Sequence, residues 1–69
     1  MERTAVTSSN VASVGYEEDS QTLEIEFNNG SIYQYYDVPK HIFDALMQGG
    51  SIGSYLATNI KGQYRYSRI

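Results

Sequence analysis

Chemistry in this chain has to be built from few parts. There is one imidazole, His41, no thiol, and eight carboxylates against five lysines and arginines. His41 stands beside a helical apolar stripe, where a lone histidine serves far more often as a surface or boundary residue than as a base or a ligand. Glu24 and Glu26 alternate along one strand and so share a face, as a working carboxylate pair would. Yet Glu17, Glu18 and Asp19 show that acids simply populate this part of the surface. A metal ion needs more converging ligands than this. Asn28-Asn29-Gly30 and Gly49-Gly50 are turn punctuation, since no Gly-x-x-x-x-Gly-Lys follows a strand to cradle a phosphate. No catalytic residue, metal or cofactor is expected, and the chain reads as a non-enzyme.

Tyrosine is what the chain has in quantity, with seven in 69 residues. Exposed rings on a sheet stack unpaired bases at about 1–3 kcal/mol each. Towards the end of the chain Lys61, Arg65 and Arg68 interleave with Tyr64 and Tyr66, so that rings would meet bases where cations meet phosphates. The charge distribution favours the same stretch. Residues 1–44 hold all eight acids with only Arg3 and Lys40, a balance of −6, whereas residues 45–69 hold three cations and no acid. Such an asymmetry marks an interaction face. Lys61, Tyr64, Arg65, Tyr66 and Arg68 are therefore the candidate nucleic-acid contacts. The plainer account makes Tyr33, Tyr35 and Tyr55 core residues with hydroxyls at the surface, and Tyr64 and Tyr66 the cover of an edge. A second binding function, docking of a protein partner on a sheet edge or on the aromatic tail, fits the same residues. Salt separates the two, because phosphate contacts weaken steeply as salt rises and apolar docking does not.

These residues must be positioned by one small domain, which at this length buries only about 60% of its unfolded surface and is usually marginal in stability. Without cysteine it has no disulfide to lean on. No apolar run approaches the roughly 18 residues of a membrane span, and Met-Glu-Arg-Thr does not begin a signal peptide. We expect a soluble cytoplasmic monomer that does not engage a membrane.

Residues 31–39, Ser-Ile-Tyr-Gln-Tyr-Tyr-Asp-Val-Pro, are the pivot of the chain. Before them the apolar period is two; after them it is 3.6. Val38 precedes a proline and is held extended, Pro39 fits the start of a helix, and Asp37 sets a negative charge near that helix's positive end. Residues 1–10 read as an extended lead-in. Residues 11–17 form a first strand with Ala12, Val14 and Tyr16 on one face, where Gly15 marks a bulge or a close backbone approach. In residues 22–27 Leu23, Ile25 and Phe27 alternate with Glu24 and Glu26, giving one apolar face and one charged, wet face. Asn28-Asn29-Gly30 then reverses the chain. A two-residue turn would pair Phe27 with Ile32 and leave Tyr33 and Tyr35 on the wet face. A three-residue turn with Gly30 as the left-handed bulge pairs Phe27 with Ser31 and puts both tyrosines in the core. We favour the second, because so small a core needs two more large apolar bodies.

Ile42, Phe43, Leu46 and Met47 make one stripe of a helix over residues 39–48, which Gly49-Gly50 ends. Ser51 is a good N-cap for a second helix over 51–59, with Ile52, Tyr55, Leu56 and Ile60 inward. Residues 63–69 are an edge strand or a tail. The expected fold is α+β: a three-stranded antiparallel β-meander followed by two short helices on one face, with a possible short C-terminal edge strand.

The ordered set Val6-x-Ser8-Ser9, Val14-Gly15-Tyr16, Leu23-x-Ile25-x-Phe27-x-x-Gly30, Tyr33-x-Tyr35-x-x-Val38-Pro39, Ser51-x-Gly53-x-Tyr55 and Ile60-x-Gly62 resembles the KTSC domain. The resemblance spans nearly the whole chain and centres on Tyr33 and Tyr35. That family takes its name from the C-terminus of some lysyl-tRNA synthetases and also occurs as a small stand-alone bacterial protein. The resemblance implies a single domain over residues 1–69, no catalytic activity, and RNA binding by association with the synthetase.

Overall fold

The computed structural model describes residues 1–69, in which five strands form one antiparallel sheet in sequence order. The strands are β1 (Arg3–Ala5), β2 (Val11–Glu17), β3 (Thr22–Phe27), β4 (Ile32–Tyr35) and β5 (Tyr66–Arg68); helices α1 (Lys40–Gln48) and α2 (Ile52–Asn59) lie between β4 and β5. The expected α+β class, both helices and the possible C-terminal edge strand are present, but the sheet has five strands because the lead-in adds one to the expected meander. The lead-in contributes β1, which pairs with β2, and the C-terminal segment contributes β5, which pairs with β4. Both are three residues long and exposed throughout. Neither carries an apolar alternation of its own, so each is held by the strand beside it.

The hairpin between β3 and β4 takes the three-residue turn. Phe27 N–H donates to the Ser31 carbonyl at 2.9 Å, Gly30 N–H donates to the Phe27 carbonyl at 2.9 Å, and Gly30 adopts φ +91°. A glycine is suited to that left-handed conformation because it has no Cβ to clash. Leu23 consequently pairs with Tyr35 and Ile25 with Tyr33. Tyr35 is 3% exposed in a core that also contains Val11, Val14, Leu23, Ile25, Val38, Leu46, Leu56 and Ile60; Tyr33 packs against it half-buried.

Strand β2 departs from simple alternation. Val11 pairs with Phe27 and Ser13 with Glu26, leaving Ala12 as the extra residue of a bulge. A bulge resets the period, so Val11 joins Val14 in the core in place of Ala12. Gly15 is the point of close approach: a Cβ there would lie 2.7 Å from the Glu2 carbonyl oxygen and 2.9 Å from Arg3 Cγ. Tyr16 ties the sheet to the helical layer, stacking on Phe43 with ring centroids 4.9 Å apart and donating its hydroxyl to the Val38 carbonyl at 2.6 Å.

Pro39 stands at the N-cap of α1, where its carbonyl accepts from the Ile42 amide at 3.0 Å. Asp37 does not serve that helix. It occupies the left-handed region at φ +58°, and its carboxylate turns to Arg65 instead, at 2.9 Å. Ser51 does cap α2, its hydroxyl accepting from the Ser54 amide at 3.3 Å. No helix is long and apolar enough to cross a membrane.

Two substitutions test this account. Tyr35→Ala removes a buried ring and should cost about 3–5 kcal/mol, enough to unfold much of so small a domain; a thermal melt close to that of the parent would contradict the buried placement. Gly15→Ala sets a methyl against backbone, and the three-residue edge strand is what must give way. Amide exchange should quicken in residues 3–6 while β3 and β4 keep their protection; an unchanged pattern would mean that β1 accommodates the methyl.

Candidate nucleic-acid interface

Because the hairpin register sends Tyr33 and Tyr35 to the helix side of the sheet, their partners on β5 follow. Tyr66 pairs with Tyr35, and Arg68 pairs with Tyr33. Tyr66 is 60% exposed. Its ring lies 5.8 Å from both Tyr33 and Tyr35, and Phe27 meets Tyr33 edge-on at 5.6 Å. These four rings floor an open groove of about 750 Å³.

The walls come from three connections. Ser9 and Asn10 belong to the β1–β2 link, Asn28, Asn29 and Ser31 to the β3–β4 turn, and Lys61 and Gly62 to the segment after α2. Asn28 binds the first two together: its side-chain amide donates to the carbonyls of Ser8 (3.2 Å) and Ser9 (2.9 Å), and its backbone N–H donates to the Asn10 carbonyl (2.8 Å). Lys61 is placed by the end of α2, where its N–H donates to the Leu56 carbonyl at 2.9 Å and Ile60 is fully buried. Its ammonium then stands 5.2 Å from the centre of the Phe27 ring. Burial, followed by the neighbouring phenols of Tyr33 and Tyr66, pushes the Tyr35 hydroxyl pKa up, so this ring stays neutral.

The five residues singled out at the C-terminal end do not form one surface. Lys61 lines the groove, as does Tyr66, and Arg68 faces the same side from beside Tyr33. Tyr64 is half-buried and packs against the core. Arg65 lies on the other side of the sheet, held by Asp37 with its guanidinium 5.7 Å from the centre of the Tyr36 ring. The period of two in a strand divides Tyr66 and Arg68 from Arg65. Phe27, Asn28 and Asn29, assigned by the sequence to the core or to a turn, and Asn10, assigned to the extended lead-in, are groove residues. The only sequence signal for them was the Gly30 bulge, which sets the asparagines beside the Phe27 end of the hairpin.

Charge sorts itself the same way. Of the five cations, Arg3 pairs with Glu24, Lys40 with Asp44 and Arg65 with Asp37; Lys61 and Arg68 have no carboxylate partner. No acid lines the groove. His41 is exposed on α1, and no three His, Asp or Glu side chains gather where an ion could be held.

The opposite face of the sheet carries the acids, and it is less wet than alternation suggests. Glu24 is only 6% exposed, with the Arg3 guanidinium on one carboxylate oxygen and the Gln34 amide on the other at 2.9 Å. Ser13 donates to Glu26 at 2.8 Å. Burial acts to raise the Glu24 pKa, but the hydrogen bonds from Gln34 and Arg3 and the Arg3 charge outweigh it, so the carboxyl sits below the ordinary glutamate range. The folded protein thus binds this proton less readily than the unfolded chain does. The resulting stability is complete at neutral pH and is lost as pH falls through the lowered pKa. Glu24→Gln should melt lower at neutral pH and lose less of its melting temperature on acidification; parallel profiles for the two proteins would remove Glu24 from the acid response.

Comparison with known proteins identifies the family. The KTSC domain model matches residues 7–64. This chain belongs to the KTSC domain family. An uncharacterised protein of Stutzerimonas stutzeri (strain A1501) is 41% identical over 70 residues, covering the whole of this chain and 99% of that protein. The lysine–tRNA ligase of Nostoc sp. (strain PCC 7120) is 43% identical over 54 residues; these are 78% of this chain and a tenth of the ligase. The crystal structure of a KTSC domain protein from Yersinia pestis superposes with a TM-score of 0.94 at 36% identity, covering 99% of this chain and 96% of that one. The KTSC domain is thus a small module that also occurs as a minor part of a tRNA-charging enzyme. Tyr66 and Arg68 fall beyond the stretch matched by the family model, while the Yersinia structure covers almost the full chain.

Proposed function

We propose that this KTSC domain is a non-catalytic, cytoplasmic, monomeric module that binds single-stranded RNA in the aromatic groove. The observation that carries this reading is the pairing of the charges. A chain of net charge −3 neutralises three of its five cations and leaves Lys61 and Arg68 free beside four clustered rings, with no acid among them. Rings on a sheet stack unpaired bases with little regard to sequence, and two free cations meet the backbone between them. The likeness to a segment of lysine–tRNA ligases supports an RNA ligand. With two cations engaged at about −0.7 per contact, log Kd should depend on log salt with a slope of only about 1.4 in magnitude, and affinity should be no tighter than about 10–100 µM.

A second reading rests on the sheet edge. Strand β5 is exposed throughout and is followed by Ile69, itself 62% exposed, so an extended protein segment could add to it. An NMR titration with a mixed-sequence RNA oligonucleotide at low salt separates the two. RNA binding should shift the amides of Phe27, Lys61, Tyr66 and Arg68 and fade as salt is added; the Lys61→Ala, Arg68→Ala double variant should lose the salt dependence along with most of the binding. Silence in residues 61–69, or equal binding by the double variant, would overturn the RNA reading and leave docking at the β5 edge in its place.

A further inference from the structure

Resting on the RNA reading, we infer that the groove is a nucleotide pocket: it takes one unpaired base, stacked on Tyr66, reads the base edge with asparagine amides, and leaves the attached phosphate to Lys61. The β3–β4 turn borders the groove at its Phe27 end. There Asn28 clamps the β3–β4 turn to Ser8 and Ser9, and Asn10 and Asn29 stand in the wall. A volume of about 750 Å³ lies within the range of a pocket for one small organic ligand, whereas non-specific single-strand grooves track about 4–16 nucleotides.

Asn28 spends its side-chain amide on the clamp, but Asn10 and Asn29 keep hydrogen-bonding capacity. The Asn10 side-chain amide makes no hydrogen bond within the protein. The Asn29 side-chain oxygen accepts from the Ser31 N–H at 3.0 Å and the Ser31 hydroxyl at 2.6 Å, leaving its NH2 free. Asn10 thus offers a donor and an acceptor side by side and Asn29 a donor, which match the mixed donors and acceptors of a base edge. Lys61 has no carboxylate to satisfy, its ammonium already stands over Phe27, and it lines the same groove as Tyr66. An apolar peptide would leave these amides unpaired on burial, which disfavours it.

The ligand chemistry, a base joined to a ribose phosphate, is shared by a free nucleotide and by one nucleotide of a strand, and titrations distinguish them. Amide shifts are followed with each of the four ribonucleoside 5′-monophosphates, with ribose 5-phosphate, and with the four RNA homopentamers. At least one monophosphate should shift Phe27, Asn29, Lys61 and Tyr66, with a Kd within about tenfold of its pentamer, since one base supplies most of the stacking. Tyr66→Ala, at an exposed position, should weaken it by a factor of about 5–100, the value of one stacked base. Asn10→Ala should shrink the difference between the best and worst base while leaving the worst unchanged. Pentamers that bind while every monophosphate fails would overturn the pocket and leave the RNA reading standing. Ribose 5-phosphate binding as well as the nucleotides, or Asn10→Ala weakening all four bases equally, would overturn base recognition. If neither monophosphates nor pentamers bind, the pocket and the RNA reading fall together.

Discussion

The positive φ of Gly30 is the constraint on which the rest of the molecule depends. It lets Asn28-Asn29-Gly30 close as a three-residue turn, so that Phe27 and Ser31 face each other and Tyr33 and Tyr35 fall opposite Ile25 and Leu23. Because side chains alternate along a strand, a slip of one residue would send both tyrosines out among Glu24 and Glu26 and bring Gln34 inward. The consequence continues to the edge. Strand β5 pairs with β4, and the face that receives Tyr35 and Tyr33 also receives Tyr66 and Arg68. The aromatic groove is thus a by-product of the register that fills the core, and one turn sets both.

The elements that bury much apolar surface were legible in the sequence. The alternation of Leu23, Ile25 and Phe27, the stripe of Ile42, Phe43, Leu46 and Met47, and the Ser51 cap each read correctly, because there the local preference and the tertiary packing agree. Of the two edge strands, the C-terminal one was read as an edge strand or a tail and is a strand, whereas the N-terminal one was not legible. Arg3-Thr4-Ala5 is exposed and shows no apolar period, so what makes it a strand is the vacant hydrogen-bonding edge of β2. The bulge at Ala12 and the burial of Glu24 escaped for a related reason. Each is decided by a neighbouring strand: Phe27 and Glu26 for the bulge, Arg3 and Gln34 for the carboxylate.

The candidate site was half legible. Residue type marked the C-terminal stretch as the part of the chain where cations and rings alternate, but alternation along an extended segment also implies that they cannot all face one way. Tyr66 and Arg68 took the helix side and Arg65 the other, where it found Asp37, 28 residues earlier in the chain. Pairing across such a separation leaves no trace in local composition. The groove's asparagines were equally hidden, since Asn in a turn is ordinarily explained by the turn itself.

Net charge would argue against a phosphate ligand only if the acids could act on the groove. Each exposed ion pair in such a domain adds at most about 1 kcal/mol of stability, so Lys40–Asp44 and Arg65–Asp37 matter more for the charges they withdraw than for the fold. Glu24 and Glu26 are engaged on the far face of the sheet. Glu17, Glu18 and Asp19 lie at the β2–β3 turn, separated from the Phe27 end of the groove by the length of β3. Six residues of strand span about 17 Å, some two Debye lengths at physiological ionic strength. At that distance their repulsion is largely screened, whereas Lys61 and Arg68 act at contact. At the Phe27 end of the groove the sign of the field that a ligand meets is therefore set by the two free cations rather than by the composition of the whole chain.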